Sequence, residues 1–467
     1  MRVQAGLSIC LVPDSVVMTS WRRQKMRDDW QSLGVAALGR AIQGDEIDPV
    51  ELTDAALDAI DSHPHRDRIF SSLTPDRARA EAEAASARAK AGTRRGLLDG
   101  VPISWKDLFD TAGHRTEAGT ALLKGRVPTE DAFVLTRATQ QGMVCLGKTH
   151  MTELAFSGLG LNPVTATPPN INDPSWVPGG SSSGAAASVA FGLAPAGIGS
   201  DTGGSVRIPA AYNNLVGLKT THGLLSLKGV VPLAARFDTV GPLTKTVEDA
   251  ACLLAVMASQ KTADLRGATL EGAHFLILDP YSTDIRDAPG AAFGSAVVRL
   301  SQAGAKISRG TIDGLEEAMS MTGVLFAAEA YGTWRDTIEA APEKMFPQVL
   351  ERFRAGANYS GPDFVAAWQR LDALREQWAT LIAQYDAVIL PSAPNLPPDA
   401  ARLLTDAEYF VTENLLTLRN TRVGNLMGSC GLTLPTGVPG TGIMFLGAPM
   451  TDHKLLRLGV AAEAALA

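Results

Sequence analysis

The segment from Ser157 to Ser205 limits the fold most, because it holds ten glycines and eight serines within 49 residues. A stretch of this composition is usually a flexible linker. Here it is interrupted by apolar segments of helical and strand length, such as residues 185–198. We therefore expect the glycines to shape tight loops inside a core, where a backbone without Cβ can make turns that other residues resist.

Short apolar runs alternate with segments of helical length over most of the chain. The predicted strands are 101–106, 143–147, 193–198, 275–279 and 387–391, and the predicted helical segments are 33–62, 75–91, 245–259, 316–339 and 362–384. This alternation predicts an α/β fold with a mixed, mostly parallel β-sheet covered by α-helices on both faces. We expect one large domain over residues 31–467, after a loose N-terminal tail or mis-assigned start at residues 1–30.

Composition restricts the classes of partner. With 45% apolar and 19% charged residues, a chain of 467 residues can bury a large core without a metal or disulfide. The formal net charge of -7 gives no electrostatic reason to expect binding to nucleic acid or to an anionic membrane. The longest weakly polar stretch, residues 185–198, is shorter than the roughly 20 residues of a membrane span. We therefore expect a soluble protein with a small-molecule substrate.

The cysteines give no sign of a metal site or a disulfide framework. Cys10, Cys145, Cys252 and Cys430 are scattered, without a C-x-x-C pair or histidines at ligand spacing. A reducing cytoplasm fits this usage. The sequence also lacks a P-loop and H-E-x-x-H, so we expect no cofactor and no metal.

Two glycine-serine loops and one lysine carry the candidate chemistry. Residues 178–184 lead into an alanine-rich helix, and residues 200–209 lie between a strand and a helix. The second loop places Ser205 where successive backbone N–H groups can converge as an oxyanion hole. A serine nucleophile needs a neighbouring base. Lys106 ends an apolar strand, and burial there would lower its pKa from about 10.4, which makes it a candidate base near neutral pH.

Together these pieces resemble the amidase signature family. Ser205 lies 24 residues after Ser181, a spacing that agrees with the family. The matching segments are Gly100–Asp107, Gly179–Gly184, Asp201–Ala210, Lys148–Leu154, Gly217–Thr221 and Asp238–Leu243. The resemblance covers nearly the whole chain after residue 33, thins after residue 260 and returns near 386–394 and 425–435.

The resemblance implies an amidohydrolase that cleaves the C–N bond of a carboxylic amide and releases ammonia or an amine. Ser205 would attack the carbonyl and form an acyl-enzyme, Ser181 would relay the proton through a cis peptide after Gly180, and Lys106 would accept it. The implied oxyanion hole is Thr202, Gly203, Gly204 and Ser205, and the implied supporting residues are Ser182, Asp201 and Arg207. The predicted pocket walls are Met151, Phe156, Phe326 and Tyr331. A homodimer is common in the family, and the oligomeric state stays open.

A rival interpretation uses Ser182. Residues 180–184 also satisfy G-x-S-x-G, the nucleophile elbow of α/β-hydrolases, which would act as an esterase here. That mechanism needs a histidine after the motif, and the chain offers His222, His274 and His453. It leaves Lys106 and the loop before Ser205 without a role.

Two further interpretations keep the triad but change its use. The amidase component of a tRNA-dependent amidotransferase would pass ammonia to a partner subunit, and it would need an acid for the α-ammonium of glutamine. No acidic residue lies between Glu413 and Asp452, and for Arg419 and Arg422 in that stretch we favour a structural role over substrate carboxylate binding. An allophanate hydrolase would carry an arginine at Ala330. A non-enzymatic binding protein is disfavoured because all three catalytic positions are intact.

Overall fold

Eleven β-strands form one sheet in the part of the chain that the structure describes, residues 29–467 of a computed structural model. The strands are β1 Phe70–Leu73, β2 Pro102–Lys106, β3 Val144–Thr149, β4 Gly197–Ser200, β5 Val216–Lys219, β6 Val240–Thr244, β7 His274–Leu278, β8 Lys306–Gly310, β9 Ala387–Pro391, β10 Cys430–Pro435 and β11 Gly442–Gly447. Their order is β1-β3-β2-β4-β6-β5-β10-β11-β9-β7-β8. The sheet joins both halves of the chain into one α/β domain, which confirms the predicted class.

The strand pairs run in both directions. Within the described residues, β2–β3, β2–β4, β7–β8 and β7–β9 are parallel, whereas six pairs are antiparallel. The predicted mixed sheet is confirmed, but the prediction that it is mostly parallel is wrong. Every antiparallel pair contains a strand that the sequence analysis did not recognise, and β10 and β11 even form a hairpin with each other.

Helices flank this sheet. The α-helices of the described residues are α1 Val35–Gln43, α2 Pro49–Ser62, α3 Arg66–Ile69, α4 Pro75–Lys90, α5 Phe133–Gln140, α6 Ser183–Ala190, α7 Arg207–Tyr212, α8 Val247–Ala258, α9 Asp287–Gln302, α10 Leu315–Ser320, α11 Ala328–Glu339, α12 Pro347–Arg354, α13 Gly361–Ile382, α14 Ala400–Thr405, α15 Ala407–Leu426 and α16 Asp452–Leu466. A π-helix spans Gly323–Ala327. Short 3-10 helices occur at Trp30–Ser32, Ala121–Leu123, Glu153–Ala155, Pro342–Lys344 and Ala355–Asn358.

Local sequence signals explain several helix bounds. The Asp48 carboxylate accepts the Val50 N–H at 2.8 Å and caps α2, with Pro49 in the first turn. The predicted segments 75–91, 245–259 and 362–384 correspond to α4, α8 and α13. The predicted segment 316–339 is divided into α10, the π-helix and α11, because the backbone leaves regular α-helical pairing at 323–327.

The core extends to the start of the described chain. Trp30, which the sequence analysis assigned to the tail, is 3% exposed and packs in the main apolar core. The rest of that predicted tail, residues 1–28, lies outside the described residues. Between residues 29 and 467, no helix has both the length and the apolar character needed to cross a membrane.

Candidate active site

Two neighbouring parallel strands, β2 and β4, end at the same edge of the sheet, β2 at Lys106 and β4 at Ser200. Lys106 Nζ lies 2.7 Å from Ser181 Oγ and 2.8 Å from Ser200 Oγ. The structure therefore brings the predicted Lys106 and Ser181 together. It adds Ser200, which the sequence analysis missed although its position at the end of a strand beside the second loop was a usable signal.

Lys106 is completely buried. Burial lowers its pKa to about 7, and the nearby carboxylates of Asp201 and Asp238 act in the opposite direction. Removal from water disfavours the ammonium form, and the carboxylates offset only part of that effect. A large fraction of Lys106 is therefore neutral at neutral pH, as a proton acceptor must be.

The first glycine-serine loop is held by backbone hydrogen bonds. The peptide bond between Gly180 and Ser181 is cis, as the family resemblance implied. The Gly180 N–H donates to the Gly158 carbonyl at 2.8 Å, and the Ser181 carbonyl accepts the Thr152 N–H at 3.1 Å. These contacts fix the direction of Ser181 from both sides.

Ser182 is buried and its hydroxyl is already engaged. It donates to the Ser200 carbonyl at 3.2 Å and accepts the Ser200 N–H at 3.3 Å. The candidate histidines have other surroundings: His222 contacts the Ala235 carbonyl, His274 contacts Ser308, and His453 is exposed. The rival mechanism with Ser182 as nucleophile therefore lacks its base in this structure.

Asp201 and Arg207 organise the second loop. Two nitrogens of the Arg207 guanidinium donate to the Asp201 carboxylate at 3.0 and 2.9 Å, and both side chains are fully buried. The carboxylate also accepts the Gly204 N–H at 2.8 Å and the Val206 N–H at 3.2 Å. Burial acts to raise the pKa of Asp201, but the Arg207 guanidinium outweighs it and holds that pKa well below its usual range. The ionised carboxylate thus fixes the turn around Ser205.

One of the four N–H groups predicted for the oxyanion hole already has a hydrogen-bond partner inside the loop. The Gly204 N–H is used by Asp201. In the described part of the chain, no backbone or side-chain acceptor receives the N–H groups of Thr202, Gly203 or Ser205. Three of the four predicted donors thus remain available to a ligand oxygen.

Ser205 opens onto a cavity of about 200 Å³. Phe156 and Phe326, two of the predicted pocket residues, line this cavity together with Thr202 and Gly203. The cavity is smaller than the roughly 300–1,000 Å³ of sites for drug-sized ligands. It suits a small substrate.

The other two predicted pocket residues lie elsewhere, which corrects their assignment. Met151 is fully buried in the main core beside β3, and its carbonyl accepts the Asn162 side-chain N–H. Tyr331 lies farther along α11, in a separate surface depression, and its hydroxyl donates to Glu339. Helix α11 carries its side chains away from the cavity, because only its start adjoins the π-helix that lines it.

Two arginines on the cavity wall were not predicted as site residues. Arg352 comes from α12 and Arg422 from α15. A structural role is expected for Arg422 from the sequence, whereas the structure places this residue on the cavity wall. Arg352 offered no signal, because no motif surrounds it. Between residues 29 and 467, no three His, Cys, Asp or Glu side chains lie together so that they could hold a metal ion.

Comparisons with known proteins agree with this geometry. The sequence profile of the Amidase family matches residues 51–456. The chain is 33% identical to a 2-amino-5-chloromuconic acid deaminase of Comamonas testosteroni over 83% of this chain and 86% of that protein. It is 31% identical to a glutamyl-tRNA(Gln) amidotransferase subunit of Anaeromyxobacter dehalogenans, over 92% and 96% of the two chains.

Comparison of the three-dimensional structures agrees with the comparison of the sequences. A crystal structure of an amidase superposes with a TM-score of 0.83 at 30% identity, and the match covers 92% of this chain and 99% of the other. The profile match spans the lysine strand and both glycine-serine loops. The chain therefore belongs to the amidase signature family and is a hydrolase that acts on carbon–nitrogen bonds.

Proposed function

We propose that this protein hydrolyses a small carboxylic amide through an acyl-enzyme on Ser205, with Ser181 relaying the proton to Lys106. The observation that carries the proposal is the 2.7 Å contact between Lys106 Nζ and Ser181 Oγ. This contact joins a buried lysine of lowered pKa to the loop beside the cavity that Ser205 lines. A base, a relay and a nucleophile are the elements that serine-based acyl transfer needs.

In the proposed reaction, Ser205 Oγ attacks the amide carbon while its proton passes through Ser181 to neutral Lys106. The N–H groups of Thr202, Gly203 and Ser205 hold the resulting oxyanion. When the tetrahedral intermediate collapses, the proton returns by the same path to the leaving nitrogen, and ammonia or an amine departs. Water then attacks the acyl-enzyme and releases the carboxylic acid.

The supporting residues act through the loop. Ser182 hydrogen-bonds both backbone groups of Ser200, and so holds the end of β4 beside Lys106. Asp201 and Arg207 set the turn that points the free N–H groups toward the cavity. We propose that these three are positioning residues, because none of them lines the cavity.

The cavity argues against glutamine as the substrate, and so against the amidotransferase interpretation. Glutamine carries an α-ammonium group, whose burial needs an anionic partner. No aspartate or glutamate of the described chain lines the cavity, and Leu418 occupies its wall in the stretch where we expected the acid. The likeness to an amidotransferase subunit therefore reflects the shared family, and we propose a free-standing hydrolase of small amides.

The three cysteines of residues 29–467, Cys145, Cys252 and Cys430, are free and buried. Free thiols are typical of proteins from a reducing compartment. We therefore propose a cytoplasmic setting for the enzyme.

The test is ammonia release from a panel of small amides by the wild type, Ser205→Ala and Lys106→Met. Both variants should lose at least about 10³-fold in kcat/KM, since each removes a group that acts as part of one unit. Ser320→Ala, at an exposed position of α10, is the control and should retain full activity. Trapping the acyl group with hydroxylamine should give a hydroxamate with the wild type and Ser320→Ala, but not with Ser205→Ala or Lys106→Met. Full activity in Ser205→Ala, or loss in Ser182→Ala while Ser205→Ala stays active, would overturn the proposal.

A further inference from the structure

Arg352 and Arg422 line the same cavity as Ser205 and lack a counter-charge. Neither guanidinium forms a salt bridge or donates a hydrogen bond to any residue from 29 to 467. Arg352 Nε is buried without a hydrogen-bond partner. Arg207, the one fully buried arginine among residues 29–467, is by contrast paired with Asp201.

Two arginines without a counter-charge in one cavity cost free energy. A cation removed from water needs a compensating partner, and two cations in one cavity repel each other. Burial lowers the pKa of Arg422 to about 10. Burial, followed by the charge of Arg422, lowers the pKa of Arg352 to about 9. Both side chains are still cations at neutral pH, and no acidic residue of the described chain shares the cavity with them.

Arg422 is adjacent to the loop that carries Ser205. Its neighbour on α15, Thr421, donates its hydroxyl hydrogen to the Gly203 carbonyl at 2.7 Å. A Cβ atom built on Gly203 would lie 3.8 Å from Arg422 Cγ. The stem of Arg422 therefore packs beside Gly203, whose N–H we propose as part of the oxyanion hole.

Arg352 reaches the cavity from helix α12. Its guanidinium carbon lies 4.6 Å from the centroid of the Phe156 ring, and Phe156 itself lines the cavity. Stacking on an aromatic face fixes the plane of the guanidinium and leaves its edge N–H groups for a ligand. The two arginines and the nucleophile thus share a cavity of about 200 Å³.

We infer that Arg352 and Arg422 bind a carboxylate of the substrate, so that the enzyme acts on small amides that carry a carboxylate close to the scissile amide. This inference rests on the proposed amidase function. The planar guanidinium fork matches the two oxygens of a carboxylate. A neutral amide of the same shape would leave both cations unpaired, and sites built this way reject such analogues strongly.

The experiment compares monoamides of four- to six-carbon dicarboxylic acids with neutral amides of equal length. The proteins are the wild type, Arg352→Gln, Arg422→Gln and the control Arg354→Gln. Arg354 lies on the same helix as Arg352 and pairs with Glu339 at the surface. The wild type should prefer the acids by about 100-fold in kcat/KM, and each cavity variant should lose about 100-fold on the acids, mainly through KM. Arg354→Gln should match the wild type on both classes of amide.

A second measurement separates this inference from the amidase proposal. Dicarboxylate binding to Ser205→Ala is measured by calorimetry, alone and combined with Arg352→Gln or Arg422→Gln. Binding that disappears with the arginine changes, while the wild type hydrolyses no amide, would support the carboxylate subsite and overturn the amidase proposal. Hydrolysis of acids and neutral amides at equal rates, altered equally by the arginine changes, would overturn the subsite and leave the amidase proposal intact.

Discussion

Lys106 Nζ lies 2.7 Å from Ser181 Oγ, and both side chains are 0% exposed. Lys106 can accept the Ser181 proton only while its amine is neutral. The protonation state of Lys106 therefore determines whether this proton transfer can occur. Burial lowers the pKa of Lys106 to about 7, and Asp201 and Asp238 oppose that shift. The protonation state of this buried lysine therefore links the ambient pH to the proposed reaction.

We expect kcat/KM to fall about tenfold per unit as the pH drops below about 7, and to level off above about 8. The sign follows from the lowered pKa, because the ammonium form dominates below it and cannot accept a proton. Initial rates from pH 5 to 9, with circular dichroism at each pH to verify folding, give the profile. A rate that is constant from pH 5 to 8 would contradict the role of Lys106.

Ser200→Ala should move that acid limb to lower pH by about one unit. The change removes one of the two oxygens near Lys106 Nζ, at 2.8 Å, and hydrogen bonds to charged groups contribute about 1.5–3 kcal/mol. The ammonium form then becomes less stable. Ser188→Ala is the matched control, since Ser188 hydrogen-bonds Ser104 on the same strand as Lys106 without reaching the lysine. An acid limb that stays in place in Ser200→Ala, or moves in Ser188→Ala, would refute this assignment.

Arg207→Met should lower the free energy of unfolding by about 3–5 kcal/mol, because it leaves the buried Asp201 carboxylate without its cation. Denaturant unfolding measures the loss. Arg370→Gln removes an exposed pair with Glu317 and should cost less than about 1 kcal/mol. Asp201→Asn added to Arg207→Met should restore part of the stability.

The same pair has a consequence at acid pH. Because the folded-state pKa of Asp201 is held below its usual range, the stability it contributes is present above the unfolded pKa and is lost as the pH falls through the folded pKa. Arg207→Met should weaken this acid-side loss of stability. Equal unfolding midpoints for the wild type and Arg207→Met would show that the pair contributes nothing.

Gly204→Ala should abolish activity and destabilise the protein. Gly204 has φ +135°, and an added Cβ would lie 2.2 Å from Thr421 Oγ1, which donates to the Gly203 carbonyl. The loop must shift, and the N–H groups near Ser205 shift with it. Gly294→Ala, on the exposed face of α9 with no atom within 4 Å, should instead stabilise by about 0.5–1 kcal/mol. Activity assays and thermal melts of both variants decide the matter, and normal activity in Gly204→Ala would contradict the proposed loop geometry.

Strands and helices could be predicted from the sequence where the local residue pattern is compatible with only one type of secondary structure. The apolar run before Lys106 became the fully buried β2, and the predicted segment 75–91 became α4. Predicted strands 275–279 and 387–391 are present as β7 and β9. In each case neighbouring residues carry the whole signal.

Strand pairs and cavity residues could not be predicted where the residues that meet are distant in sequence. Strands β5, β6, β10 and β11 contain glycine or proline, which weakens the strand pattern, and without them five of the six antiparallel pairs of the described residues could not be predicted. Tyr331 was expected on the cavity, and its helix carries it to another surface. Arg352 and Arg422 reach the cavity from helices far from both loops, and only the packing of α12 and α15 brings them there.

The reactive groups and the cavity walls come from different parts of the fold. Lys106 and Ser200 end two sheet strands, whereas Phe326, Arg352 and Arg422 belong to the helical layer. Substitutions at Phe326 or Arg352 can therefore alter which amide is accepted while Lys106 and Ser200 stay in place. A fold of this kind can acquire new substrates through sequence changes in the helices that line the cavity, while the catalytic residues are retained. Libraries for the laboratory evolution of this enzyme should therefore target those helices.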